Sequence, residues 1–216
     1  LIFDRIHNKR KRKNLKTVLN DNFNKSFKGD IFEIEHHLAH LSSAFYVSPF
    51  EKAVVVSVDG FGDFASTAWG IGEGNEITVK KRVYFPHSLG IFYQSMTQWL
   101  GFPKYGDEYK VMGLAPYGKP IHLDKMRQIV KLKPDGSFDL GLNFFRFHKE
   151  KIEYKWEKGE PKVEDLFSNE LEQFLGPRRK NEEELTQFHM DIARSVQAMY
   201  EEAFFNLLNS LHKKYG

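Results

Sequence analysis

The chain has 216 residues, of which 41% are hydrophobic and 28% are charged, and its net charge is +3. This composition predicts a globular protein of one large or two small domains. The net charge by itself is too small to indicate a nucleic-acid partner, and none is expected. Cysteine is absent, which excludes disulfides and thiolate metal sites and is compatible with a reducing cytoplasm. No apolar run reaches the roughly 20 residues that span a bilayer, and the N-terminus lacks the order of a signal peptide, so we expect a cytoplasmic protein without membrane contacts.

Basic residues cluster near the N-terminus. They are Lys9, Arg10, Lys11, Arg12, Lys13 and Lys16. Such a cluster can contact phosphates, but no aromatic residue or nucleic-acid motif accompanies it, so a solvated face is the favoured interpretation. The first residue is Leu, which indicates a fragment of a longer polypeptide.

The first predicted elements are two strands with a helix between them. Residues 31–35 are apolar with partial alternation and predict a strand, and residues 36–48 predict a helix that Pro49 stops. Residues 52–60 are β-branched and almost wholly apolar, which predicts a buried strand, followed by a turn at residues 60–63.

Two more strands and a helix follow. Residues 66–72 and 76–85 alternate like strands separated by Glu73 to Asn75, so that a three-strand meander is expected. The next stretch, "IFYQSMTQWLGF", predicts a helix ended by Gly101 and Pro103.

The remainder is irregular except for its last segment. We expect a short helix at 123–132, paired strands within 136–149 and an exposed polar stretch at 153–164. Asn181 and Glu184 have the spacing of a capping box, which predicts the start of one long amphipathic helix. Its apolar stripe comprises Leu185, Phe188, Ile192, Val196, Met199, Ala203, Leu207 and Leu211, and we expect it to end near Gly216.

Three histidines within "EHHLAH" are the first candidate for chemistry. Residues four apart share one face of a helix, so His36 and His40 can direct both rings at one metal ion. His37 points elsewhere and is a candidate supporting or capping group. Asp59 ends a buried strand at a glycine turn, where packing does not need an Asp, and is the predicted third ligand. Two histidines and a carboxylate suit Fe(II), Zn(II) or Mn(II), whereas surface or capping histidines are the alternative.

Two further segments carry weaker signals. The hairpin "DGFGD" presents Gly60, Gly62 and Asp63, which could cradle a phosphate or form an ordinary turn. In "GDEYKVMGLAPYGKP", Lys110 could neutralise a phosphate or carbamoyl oxygen, whereas a solvated pair with Glu108 is the usual outcome.

Together these stretches resemble the carbamoyltransferases of the nodulation-protein and antibiotic-tailoring type. The resemblance runs in family order from about residue 33 to the C-terminus, and the combination is far more specific than any one motif. Its pieces are "HHLAHLSSAFYVSPFEKA", "VVVSVDGFGD", "FPHSLGIFYQSMTQWLGF", "GDEYKVMGLAPYGKP", "LGPRR" and "DIARSVQAMYEEA".

The resemblance implies an α/β fold of two ribonuclease H-like halves, as in the acetate kinase, sugar kinase and actin superfamily. Residues 1–50 would end the first half and carry the metal-binding helix. Residues 51–216 would begin the second half, with an irregular insertion at about 121–180. Other family segments are expected before and after these 216 residues, so the fold would be incomplete and this chain alone inactive.

The resemblance also implies an activity. The family uses ATP and carbamoyl phosphate to make carbamoyl-adenylate, and then passes the carbamoyl group to an acceptor hydroxyl. Its metal, Fe2+ as the most expected ion, would be held by His36, His40 and Asp59.

The remaining predicted site residues divide into two groups. Asp191 and Lys110 are the predicted catalytic groups. The predicted cofactor-binding residues are Gly60, Gly62, Asp63 and Glu108. The partners would be a small molecule with a hydroxyl group and the remainder of the parent chain. A non-catalytic metal-binding or scaffold domain, and a related enzyme acting on tRNA or a protein cysteine, remain the alternatives.

Overall fold

The computed structural model describes residues 14–23, 26–157 and 159–216. Residues 9–13 of the predicted basic cluster therefore lie outside the described residues, and its last member, Lys16, is described and exposed. In chain order the helices are α1 (Leu15–Phe23), α2 (His36–Phe45), α3 (Leu89–Trp99), α4 (Glu108–Leu114), α5 (Leu123–Ile129), α6 (Asn169–Leu175) and α7 (Gln187–Tyr215). The strands are β1 (Lys52–Gly62), β2 (Ala65–Glu73), β3 (Glu76–Tyr84), β4 (Val130–Leu132), β5 (Phe138–Leu140), β6 (Tyr154–Glu157) and β7 (Glu160–Val163). Within the described ranges no helix combines the length and apolarity needed to cross a membrane.

The predicted meander is confirmed: β1, β2 and β3 form an antiparallel sheet in that order. The first turn differs from the prediction, because β1 continues to Gly62 and the chain reverses at Asp63 and Phe64. Both turn residues have positive φ, 48° and 68°, as tight two-residue hairpins require. Since β1 lies at an edge of this sheet, most of its residues are only partly buried, not fully buried as predicted.

Helix α2 is confirmed, but the strand predicted before it is wrong. Residues 31–35 pair with no described strand, and Phe32 and Ile34 are 82% and 69% exposed. The helix runs from His36 to Phe45, ending before Pro49. Leu41 and Phe45 then pack on the sheet in a small apolar cluster. This packing places the start of α2 over the end of β1.

Helices α3 and α7 contribute to the larger core. Helix α3 is confirmed and ends at Trp99, with Gly101 at φ 82° behind it. The predicted stripe of α7 is buried from Ile192 onward. The helix begins later than predicted, because the capping box is formed by Thr186 and His189.

The segment 121–180 is built from short pieces. Helix α5 is shorter than predicted because its last three predicted residues form β4, which pairs with β5. Residues 153–164 contain the hairpin of β6 and β7, which the sequence analysis did not predict; both strands are largely exposed, as predicted. The α/β class is thus confirmed, while the ribonuclease H-like assignment and the boundary near residue 50 stay predictions.

Candidate metal centre

His36, His40 and Asp59 converge, as the sequence analysis predicted. His36 Nε2 lies 2.7 Å from Asp59 Oδ2, and His40 Nε2 lies 3.3 Å from the same oxygen. The two Nε2 atoms are 3.0 Å apart. Donor atoms bound about 2.1 Å from one ion, at right angles to each other, would be about 3.0 Å apart. The three residues therefore fit a single metal ion.

The three side chains also leave room for further ligands. His36, His40 and Asp59 are 39%, 48% and 39% exposed. A structural metal site encloses its ion with four protein ligands, whereas a catalytic site keeps at least one position open. Three protein ligands on a partly exposed face match the second kind.

The carboxylate of Asp59 is held in its ionised form. Burial opposes ionisation, but hydrogen bonds with His36, from Gly60 N–H and with His40 outweigh it and lower the pKa of Asp59. Gly60 N–H donates to Oδ1 at 2.6 Å, so the oxygen that faces the histidines is Oδ2. Since a metal ligand must be deprotonated, this arrangement favours metal binding.

The start of α2 is fixed by two acidic residues. Glu35 is its N-cap and accepts hydrogen bonds from two first-turn N–H groups. Asp63 Oδ2 accepts from His36 N–H at 2.9 Å, and Arg82 pairs with Glu35 at 3.1 Å. Acidic groups at a helix N-terminus satisfy its free N–H groups and its dipole. In this structure Asp63 therefore positions the helix that carries His36 and His40; its predicted cofactor contact stays a prediction.

His37 lies on another face of α2, as predicted. It is fully buried, and its Nδ1 lies 2.9 Å from Ser57 Oγ on β1. This hydrogen bond ties the helix to the strand that carries Asp59.

Glycines make room for the triad. A Cβ added at Gly62 would lie 1.9 Å from His36 Cδ2, whereas one at Gly60 would meet nothing within 4 Å. At Gly90, a Cβ would lie 2.8 Å from Gly60 N, so the first turn of α3 packs directly on the end of β1. The structure shows that His36 needs the space at Gly62; the predicted cofactor-binding role of Gly62 stays a prediction.

Ser88 is a positioning residue that the sequence analysis missed. Its Oγ donates to Gly60 O at 2.7 Å and accepts from Ile91 N–H at 3.1 Å. It thereby caps α3 and links that helix to the residue after Asp59. The signal was present as a Ser before an apolar helical stretch, a common N-cap pattern.

We expect Ser88→Ala to lower the free energy of unfolding by about 1–2 kcal/mol, because a helix cap is lost and the partly buried carbonyl of Gly60 loses a donor. Urea unfolding followed by circular dichroism measures the change. Ser43→Ala, at an exposed position on α2, is the control and should change stability by less than about 0.5 kcal/mol. Equal losses for the two variants would contradict this role for Ser88.

A cavity of about 420 Å³ opens beside Asp59. Four elements enclose it: the end of β1, helix α3, helix α4 with the loop before it, and helix α7. The lining residues are Val58, Asp59, Gly60, Gly90, Tyr93, Gln94, Tyr105, Gly106, Glu108, Met112, Gln197 and Tyr200. Two predicted cofactor-binding residues, Gly60 and Glu108, are therefore brought to the cavity.

The two predicted catalytic groups do not line this cavity. Lys110 Nζ pairs with Asp107 at 2.7 Å. Asp191 Oδ1 accepts from Lys119 N–H at 2.7 Å and from Gln187 Nε2 at 2.9 Å, and these two bonds, the backbone one first, lower the pKa of Asp191. Asp191 thus holds the loop after α4 on the start of α7. Catalytic roles for both residues remain predictions.

The sequence matches a known family over its whole length. The family model described as "Carbamoyltransferase N-terminus" matches residues 1–216. The chain is 35% identical to nodulation protein NolNO of Sinorhizobium fredii over 81% of the chain and 22% of that protein. It is 34% identical to nodulation protein NolO of Bradyrhizobium diazoefficiens over 85% of the chain and 29% of that protein.

An uncharacterized Synechocystis protein, sll1178, is 39% identical over 84% of the chain and 28% of its own length. The chain therefore spans less than a third of each of these relatives. Fold and site together define an α/β protein with a two-histidine, one-carboxylate cluster beside a cavity. The family match makes the assignment specific: the chain belongs to the carbamoyltransferase N-terminus family.

Proposed function

We propose that the protein is an ATP-dependent O-carbamoyltransferase. It would take the carbamoyl group from carbamoyl phosphate by way of carbamoyl-adenylate and pass it to the hydroxyl of a small molecule. The family match supports the transferase class. The observation that carries the proposal within the structure is the convergence of His36, His40 and Asp59 beside a ligand-sized cavity, which Asp59 also lines.

His36, His40 and Asp59 would hold a divalent ion, with Fe2+ as the proposed metal because two histidines and a carboxylate are a common Fe(II) ligand set. When bound, such an ion supplies Lewis acidity and a fixed template for phosphate and carbamoyl oxygens. The protein's own contribution is orientation. Glu35 and Asp63 fix the helix that carries the histidines, and Gly60 N–H fixes the carboxylate.

The cavity next to the triad supports the transfer half of the proposal. Asp59 belongs both to the cavity lining and to the triad, so a molecule in the cavity would have a group beside the metal ligands. Holding two reactants in a fixed relative position replaces a bimolecular encounter with a unimolecular step, which contributes greatly to catalysis.

The test uses the full-length polypeptide that contains this chain, loaded anaerobically with Fe2+. Given ATP, carbamoyl phosphate and a hydroxyl acceptor, it should release phosphate and pyrophosphate, then AMP, with one carbamate ester formed per AMP. Mass spectrometry of the acceptor and enzymatic detection of pyrophosphate measure both products. Metal binding without either product would favour the scaffold alternative, and carbamoylation of tRNA or a protein cysteine instead would favour the related enzymes.

A further inference from the structure

The cavity beside Asp59 has an unusual charge distribution for a family that handles phosphates. Its lining includes two carboxylates, those of Asp59 and Glu108, and no Lys or Arg among the residues that the structure describes there. Lys110, the nearest basic residue in sequence to Glu108, is paired with Asp107. Without a bound metal ion, a phosphate group entering this cavity would therefore meet like charge, with no compensating cation among the described lining residues. The cavity suits an uncharged or cationic molecule better than a nucleotide or carbamoyl phosphate.

Two polar side chains in the lining have no partner in the described part of the protein. They are the half-buried carboxylate of Glu108 and the half-buried amide of Gln94, for which no side-chain hydrogen bond or ion pair is seen. Gln197 differs: its Oε1 accepts from Tyr93 O–H at 2.8 Å, and its amide donates to Glu201 at 3.0 Å. Because partly buried polar groups usually find partners, Glu108 and Gln94 are the groups that remain for a ligand.

The other walls supply flat apolar surface. Tyr93, Tyr105 and Tyr200 line the cavity, and Tyr105 is 62% exposed at its edge. Aromatic walls with a few free polar groups, in a volume of several hundred Å³, are typical of small-molecule sites. Tyrosine rings also attract cations such as a protonated amine.

We infer that this cavity is the acceptor subsite and that Glu108 determines its specificity, favouring amine-bearing over neutral hydroxyl compounds and both over anionic ones. That the ligand of this cavity is the carbamoyl acceptor rests on the proposed function, whereas the expected order of affinities does not. The carboxylate of Glu108 pairs with the ammonium or hydroxyl group of the ligand. Asp59 contributes less to this preference, because its oxygens are already bonded to two histidines and to Gly60 N–H.

The experiment compares three probes of one size: glucosamine, glucose and glucuronate. Each is titrated by ligand-observed NMR into the protein without metal, ATP or carbamoyl phosphate. Glucosamine should bind about three- to tenfold more tightly than glucose, as expected for a partly exposed charge pair, and glucuronate more weakly than glucose. In Glu108→Gln, glucosamine should lose most of its advantage while the affinity for glucose stays within about twofold, because the size of the side chain is kept. Glu182→Gln, at an exposed position, is the matched control and should retain the wild-type order.

Three results would overturn the inference: glucuronate binding as tightly as glucosamine, no binding of any probe, or an unchanged preference in Glu108→Gln. Since the titration needs neither metal nor donor, its outcome is separate from that of the transfer assay. If the three probes bind in the expected order of affinity but no carbamoyl transfer occurs, the subsite stands and the proposed activity is refuted. If transfer occurs but the probes do not bind in that order, the activity stands and the subsite is refuted.

Discussion

His36→Ala and His40→Ala are each expected to reduce the affinity of the protein for divalent metal by about 100-fold or more, because each removes one of the three candidate ligands found among the described residues. In the full-length polypeptide, carbamoyl transfer should be lost together with the metal. The measurement is metal content by elemental analysis and affinity by titration with Fe2+ under anaerobic conditions. His212→Ala, at an exposed position near the end of α7, is the matched control and should bind metal normally.

His37→Ala separates metal binding from support of the helix. His37 is buried and lies against Ser57, so its removal should lower the stability of the fold more than it lowers metal affinity. Acidification should release metal from the wild-type protein as the histidine ligands take up protons. Normal metal content in His36→Ala and His40→Ala, with loss in His37→Ala, would refute the ligand assignment.

Gly62→Ala is expected to abolish metal binding nearly as completely as removal of a ligand, while all three ligands are still present. The new methyl group would lie 1.9 Å from His36 Cδ2 and 2.1 Å from His36 Cγ. Such contacts cannot persist, and the imidazole must turn away from Asp59. We expect the affinity for metal to fall about 100-fold, since a displaced ligand contributes little, while the thermal transition is kept because Gly62 is the last residue of β1.

Gly60→Ala is the matched control, two residues earlier on the same strand. A Cβ there meets nothing within 4 Å, and alanine keeps the backbone N–H that donates to Asp59 Oδ1. Metal affinity should therefore stay within about threefold of the wild type. Equal loss in the two variants would show that β1 needs glycine for its backbone conformation and not for the space beside His36.

Much of the fold followed from local patterns. The β-branched run of β1 and the alternation in β2 and β3 predicted the meander. Burial alternates along the first part of β3, whereas the central strand β2 is buried along almost its whole length. The segment 31–35 has a similar apolar composition but forms no strand. A strand needs a partner, and Glu35 instead caps α2. The start of α7 was also misplaced, since Asn181 and Thr186 both precede suitable helical sequence.

The sequence by itself predicted the candidate metal ligands, which the structure brings together. His36 and His40 share a helix face through spacing alone, and Asp59 was marked by its place at the end of an apolar strand. Tertiary structure alone decided the surroundings: the fit of Gly62 against His36, the capping of α2 by Asp63, and the assembly of Glu108 into a cavity with Gln94 and Gln197. These contacts join residues on separate elements, such as Gly62 of β1 with His36 of α2 and Asp63 of the turn with the same helix. Local periodicity carries no information about such distant approaches, which depend on how helices and sheet pack.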